Sequence, residues 1–346
     1  MNIICTGISC SGRKELMQHL EALCRDKQVA MGFFNVGDFM KHAAAASRVQ
    51  FTEKVLDSDQ AVLSLARRSA FYEIANLAHN YDHSFIGLHA CFRWRGVLVE
   101  GISFKDIEDF PADLFINVVD DLAEIDRRMQ ANPQWAGLRR DEINVWLDEE
   151  EFLTKQFASL KGKPHYTVAR RHDLENFYDL LFSDKQKFYL SYPITLLRET
   201  PEQIERIRRF GAKMQGAFIV FDPLYIKDME LIKSTELPKE SGLDSRITTI
   251  EAIDRTFTEQ IKTRTVSRDY QFIHQSDFVV VIYPTDKLSP GVLSEMNYAS
   301  RYNKPVYAVY AHARSPFFEN LCEEIFDTVE ELEHFLERRQ TSPPVH

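Results

Sequence analysis

Several short runs of this chain are apolar at nearly every position: NIICTG from Asn2, DLFINVV from Asp113, AFIVFDP from Ala217, DFVVVIYP from Asp277 and PVYAVY from Pro305. A strand with one wet face alternates apolar and polar residues; a strand covered on both faces does not. Between these runs lie longer segments with helical periodicity: Lys14 to Arg25, Asp120 to Met129, Arg140 to Leu160, Pro201 to Gln215, Ile250 to Gln260, another ending near His274, Val292 to Tyr302 and a terminal helix. Doubly covered strands alternating with helices predict an α/β chain built on parallel sheets flanked by helices. HSFIGLHA (83–90) and FYLSYPI (188–194) read as further strands. The pattern turns polar at FSDKQK (182–187) and then restarts, so two α/β domains are expected: 1–184 and 185–340, with 341–346 a disordered tail.

At 346 residues with a net charge of −10, the chain is acidic enough to exclude broad nucleic-acid binding, which needs clustered Lys and Arg. The five cysteines, Cys5, Cys10, Cys24, Cys91 and Cys322, form no CxxC pair and read as reduced thiols. The start MNIICTGIS lacks a signal-peptide pattern, and no window approaches the ~18 apolar residues of a membrane span. A cytoplasmic protein with no membrane partner is expected.

GISCSGRK (7–14) follows the first strand and opens a helix. Gly7 and Gly12 fit the G-x-x-x-x-G of a phosphate-binding loop, in which backbone N–H groups and a helix N-terminus favour an anion. The motif continues with Lys and Ser/Thr; here Arg13 and Lys14 stand there. Arg13 can hold a phosphate, but Lys14 cannot bind Mg²⁺ as a hydroxyl does. A ligand-free strand–helix turn is the alternative. FFNVGDFM (33–40), LHACFRWRGVLVEG (88–101), DLFINVVDDLAEIDRRM (113–129) and RRDEINVWLDEEEFLTKQFA (139–158) follow in the order of small nucleoside monophosphate kinases. Over residues 1 to 180 the chain resembles the archaeal adenylate kinase type. The resemblance implies that Arg128, Arg139 and Arg140 are lid arginines. It also places Gly87 where the family has an aspartate that supports Mg²⁺. With two magnesium-related positions changed, a weak or inactive kinase that binds ATP or another nucleotide, or serves as a scaffold, is expected.

SPGVLSE (289–295) follows DFVVVIYP. Pro290 suits a first helical turn and Ser289 its N-cap, although Ser289 fits a ligand contact equally well. Glu295 then lies in the first turns of a helix at the carboxyl end of a buried strand, where open α/β sheets bind ligands and where the helix dipole favours an ionised carboxylate. Asp269 lies eight residues before Asp277, and Tyr189 near the middle of FYLSYPIT. This constellation, over residues 187 to 312, resembles the nucleoside 2-deoxyribosyltransferase family, including the 2′-deoxynucleoside 5′-phosphate N-hydrolases. The resemblance implies a Rossmann-like fold, with Glu295 as the nucleophile at C1′ of the sugar, Asp269 as the acid that protonates the leaving base, and Tyr189 as the group orienting Glu295. Two carboxyls in different protonation states are the glycosidase arrangement.

Six residues before that nucleophile many transferases carry Asp and the nucleotide hydrolases Ser. Ser289 therefore implies hydrolysis of a (deoxy)nucleoside 5′-monophosphate, with no cofactor required for the cleavage. Ser289, Gly291, Thr195, Arg198 and Asp222 are candidate substrate contacts; Gly7, Gly12, Arg13, Lys14, Arg128 and Arg140 are candidate phosphate contacts in the first domain. Rival readings are a nucleoside monophosphate kinase acting through Arg13 and Lys14, and a non-catalytic nucleotide sensor. The family resemblance also implies a homo-oligomer.

Arg264 and Arg268 read as solvated helix charges, with phosphate contact the alternative, and the acidic run DEEE (148–151) reads as a solvated face. Cys10 is a bystander thiol. His89, His165 and His274 lack the spacing of a metal cluster, so no metal site is expected.

Overall fold

The computed structural model describes residues 1–46, 48, 50–226 and 245–341, excepting the side chains of 245–256, 340 and 341. The Lys-, Ser- and Glu-rich stretch at 227–244 lies outside the described residues; of the tail expected at 341–346, Thr341 ends the helix Val329–Thr341 and 342–346 lie outside the described residues. The protein is α/β, with two parallel five-stranded sheets flanked by helices.

The first compact unit comprises 1–171 and 226–264. Its strands are β1 (Asn2–Thr6), β2 (Met31–Asn35), β3 (His83–Gly87), β4 (Cys91–Trp94), β5 (Val97–Glu100), β6 (Leu114–Val119) and β7 (His165–Ala169). The sheet order is β2-β3-β1-β6-β7, all parallel, while β4 and β5 form an antiparallel hairpin. β6 is buried at all six positions, as its uniform apolar run requires. One core packs Ile4, Ile86 and Phe115 against Ile74 and Phe157; a second gathers Trp135, Trp146 and Leu147. The long helix Arg140–Lys161 supplies both Phe157 and Trp146 and ends on Gly162, whose φ of 60° suits a residue without a Cβ.

The second unit comprises 172–225 and 265–346. Its strands β8 (Lys187–Ser191), β9 (Ile219–Phe221), β10 (Phe278–Ile282), β11 (Val306–Val309) and β12 (Glu324–Phe326) are parallel in the order β12-β11-β10-β8-β9. Phe188, Leu190 and Tyr192 point into the core under the helix Pro201–Met214 and the C-terminal helix, with Val280 and Ile282 of β10 beside them. Since side chains alternate along a strand, Tyr189 and Ser191 face the opposite side.

Two expectations change. The first unit stops at 171 and takes in 226–264 as well, where 1–184 and 185–340 were expected. The helix Leu174–Phe182 belongs with the second sheet because Asn176 grips the backbone of β9, donating to Phe218 O at 2.8 Å and accepting from Val220 N at 3.0 Å. The two helices expected after 250 are one, Ser245–His274, since no Gly or Pro interrupts that stretch. No described helix is long and apolar enough to cross a membrane.

Candidate active site

In the second unit, β8 and β10 are in register with Val279 opposite Tyr189 and Val281 opposite Ser191. The helix Pro290–Arg301 follows β10 and carries Glu295 at its sixth position, over that face of β8. Tyr189 OH donates to Glu295 Oε1 at 3.1 Å, and Ser191 Oγ donates to Oε2 at 2.5 Å. Burial, with the charges of Asp269 and Glu295, raises the Tyr189 phenol well above its usual range, so it remains a neutral donor.

Burial and then the charge of Asp269 push the Glu295 carboxyl up to about 8, against the two hydroxyl donors and Arg268, which pull it down. The helix dipole, worth a few tenths of a kcal/mol to ~2, therefore does not set the charge of Glu295 by itself: desolvation and the like charge of Asp269 push the carboxyl toward its protonated form. Asp269 is in turn paired with Arg268, whose Nε and Nη2 lie 3.2 and 3.1 Å from Oδ1. Arg268 and Arg264 are about 5 % exposed, not solvated as their sequence setting suggested; Arg264 donates to Asn144 Oδ1 at 3.3 Å. The two carboxyls interact through charge beside a buried arginine, and interacting carboxyls titrate as a pair, in which one can hold a proton while the other is ionised.

The expected substrate contacts fare unevenly. Ser289 precedes the helix, yet its hydroxyl makes no capping bond; instead its N–H donates to Tyr283 OH at 2.6 Å. Gly291 is exposed, and a Cβ there would meet open space. Thr195 is exposed on the short helix Ile194–Leu197, and Arg198 just beyond it is partly buried. Asp222 is turned into the protein: its Oδ1 accepts from Tyr192 OH at 2.8 Å and from Leu224 N at 2.9 Å, and burial raises its carboxyl. Its place is to secure the end of β9.

In the first unit the turn after β1 has the strained backbone a phosphate loop needs, with φ of 149° at Gly7, 65° at Cys10 and 83° at Gly12. Its side chains do not act as the motif implied. Arg13 is 7 % exposed and turned inward: Nη1 donates to Gly7 O at 3.2 Å and to Leu88 O, and Nη2 lies 3.4 Å from His89 Nε2. Lys14 pairs with Asp38 at the surface. Arg128 pairs with Asp120, Arg139 with Asp141 and Arg140 with Asp126, so each arginine expected in a lid is held by a neighbouring carboxylate. Where the family has an aspartate, Gly87 lies against the flexible end of Met17, whose Sδ would be 2.6 Å from a Cβ and would have to shift to admit one.

Sequence reasoning missed two residues here. Glu150, expected on a solvated face, is 1 % exposed; Oε1 accepts from Gly7 N at 3.0 Å and Ala90 N at 2.9 Å, and Oε2 from Cys91 N at 2.9 Å. Arg170 lies over Gly12, so close that a Cβ there would sit 2.0 Å from its Cδ. A cavity of about 550 Å³ opens from the loop, lined by residues 8–15, Arg67, His89 and the aromatic rings of Phe51, Phe92 and Trp135. Around the loop Ser11 Oγ, Arg13 Nε, Arg128 Nη1 and Arg170 Nε are buried with no hydrogen-bond partner among the described residues. No group of three or more metal-ligating side chains occurs among the described residues.

No protein-family model matches the chain, and the search of curated proteins found no match. Among the solved structures that overlap it is a GTPase from Pyrococcus abyssi in its apo form, 10 % identical, covering 87 % of this chain and 97 % of the other with a TM-score of 0.27. An overlap at that score carries no argument about function.

Proposed function

We propose that the second unit hydrolyses the N-glycosidic bond of a (deoxy)nucleoside 5′-monophosphate. The observation that carries this reading is the convergence of Tyr189 and Asp269 on Glu295, through a hydrogen bond and through charge respectively. In the free pair, burial and the charge of Asp269 favour a proton on Glu295. In the reactive form that proton sits on Asp269, leaving Glu295 as the anion. Glu295 attacks C1′; the C1′–N bond breaks and its electron pair stays with the base nitrogen, which takes the proton from Asp269. Water then attacks C1′ of the glycosyl ester, passing its proton to the Asp269 carboxylate and releasing Glu295 with the sugar phosphate. Transfer to a second base in place of water is the same chemistry with a different acceptor. The test is incubation with a panel of NMPs and dNMPs, with free base separated by chromatography. Absence of base from wild type, or undiminished release by Glu295→Ala, contradicts the proposal.

A second reading concerns the first unit. The cavity beside the loop, with buried unpartnered donors on Ser11 and Arg13, favours a nucleotide bound there without phosphoryl transfer. The inward Arg13, the surface pairing of Lys14 and the absence of a carboxylate at Gly87 leave Mg²⁺ without its usual supports. Calorimetric titration with AMP, dNMPs, ADP and ATP, with and without Mg²⁺, tests it: binding indifferent to Mg²⁺ and no phosphate transfer are expected. Kinase turnover would overturn it. Self-association, implied by the family resemblance, is read by sedimentation.

A further inference from the structure

Two hydroxyls, rather than one, meet the carboxylate of Glu295. The second belongs to Ser191, two residues beyond Tyr189 on the same face of β8, and nothing in the sequence pattern assigned it a role. Its position is tightly fixed. It is 0 % exposed, its backbone is paired in register with Val281 of β10, and its neighbours Leu190 and Tyr192 are anchored in the core on the other side of the sheet. With Tyr189 on Oε1 and Ser191 on Oε2, both oxygens of one carboxylate are engaged by donors from a single rigid strand. Two such bonds set the carboxylate's plane as well as its distance, whereas one leaves the group free to turn about Cγ–Cδ. A short O–H···O⁻ contact to an ionised acceptor is stronger than one between neutral groups, so the pair also favours the anion over the acid.

We propose that Ser191 is a positioning residue for Glu295, holding the carboxylate plane toward the anomeric carbon and easing the loss of its proton. This rests on the reading of Glu295 as the nucleophile. Ser191 does not itself touch the reacting atoms; it acts through Glu295. Losing its hydroxyl removes one of the two local donors that oppose burial and Asp269.

The test uses the full chain and two independent readouts. The first is ¹³C NMR titration of the Glu295 carboxyl, assigned by comparison with Glu295→Gln, in wild type, Ser191→Ala and Ser191→Thr. In Ser191→Ala the midpoint is expected to rise by about one pH unit, the size of a charge-assisted hydrogen bond; Ser191→Thr, which keeps the hydroxyl, returns it toward wild type. The second is base release at pH 7, where Ser191→Ala is expected to lower kcat by about tenfold with KM little changed. An unmoved midpoint in a Ser191→Ala protein with native circular dichroism overturns the proposal. The titration needs no turnover. A wild type that releases no base but whose midpoint still depends on Ser191 refutes the glycosidase reading and keeps the proton-easing role. A wild type that releases base with a Ser191-independent midpoint does the reverse.

Discussion

Truncating Glu150 to alanine is the sharpest perturbation of the first unit. Its carboxylate is the shared acceptor for three backbone N–H groups, from Gly7 in the loop and from Ala90 and Cys91 at the start of the hairpin. Burial raises the carboxyl, while the three amides and Arg13 oppose that rise. Alanine leaves all three donors buried and unpaired, at about 1–3 kcal/mol each, and strands the inward guanidinium of Arg13 beside an empty space. Water entering the vacated volume relieves part of that loss. The expected destabilisation is about 3–6 kcal/mol, a large share of the ~5–15 kcal/mol that holds a domain folded. Glu150→Gln keeps one acceptor oxygen for Gly7 and Ala90 but turns an N–H₂ against Cys91 N–H, so it falls between, at about 1–3 kcal/mol. The three tryptophans, Trp94, Trp135 and Trp146, all lie in the first unit, and Trp146 donates to Cys91 O at 3.0 Å. Tryptophan fluorescence during guanidinium unfolding therefore reports this unit alone. A Glu150→Ala protein within about 1 kcal/mol of wild type would refute the claim that this carboxylate organises the loop.

The shared proton sets the pH response of the second unit: base release is expected to fall as pH rises through about 8, where the pair loses the proton the leaving base needs. A raised carboxyl stabilises the fold at low pH and loses that contribution as pH climbs from its unfolded value of 4.5 through about 8, so Glu295→Gln should denature with less pH dependence across that window than wild type. Asp269→Asn removes the like charge, so the Glu295 midpoint should drop toward the ordinary carboxylate range in an NMR titration, while base release falls about 10²–10⁴-fold for want of an acid. In the first unit, Gly87→Asp should bring no Mg²⁺-dependent phosphate transfer, because Arg13 stays turned inward and Lys14 paired at the surface; a gain of kinase turnover would contradict the account of that loop.

The strands could be read from the sequence because burial on both faces strips them of polar residues, and β6 and β10 are the plainest cases. The division between units could not, since contacts such as the amide bonds of Asn176 to strand backbone, which join Leu174–Phe182 to the second sheet, leave no periodic trace. Glu150 hid in an acidic run, although Ile143, Trp146, Leu147, Thr154 and Phe157 mark its helical face as buried. The same spacing from Ile261 to Phe272 marks Arg264 and Arg268 as inward-facing. Tyr189 pointed to its own partner Ser191 through the two-residue repeat of a strand, a signal that was present and unused. The protonation of Glu295 could not be read locally, because it depends on Asp269, which is distant in sequence and near in space.

The most direct measurement of the central claim is free base released from deoxynucleoside and ribonucleoside 5′-monophosphates, followed for wild type and Glu295→Ala side by side at pH 7. The account predicts release of base together with one equivalent of sugar phosphate from at least one substrate, and its loss to background in the variant. Equal release by both proteins, or none by wild type across the panel, would contradict it.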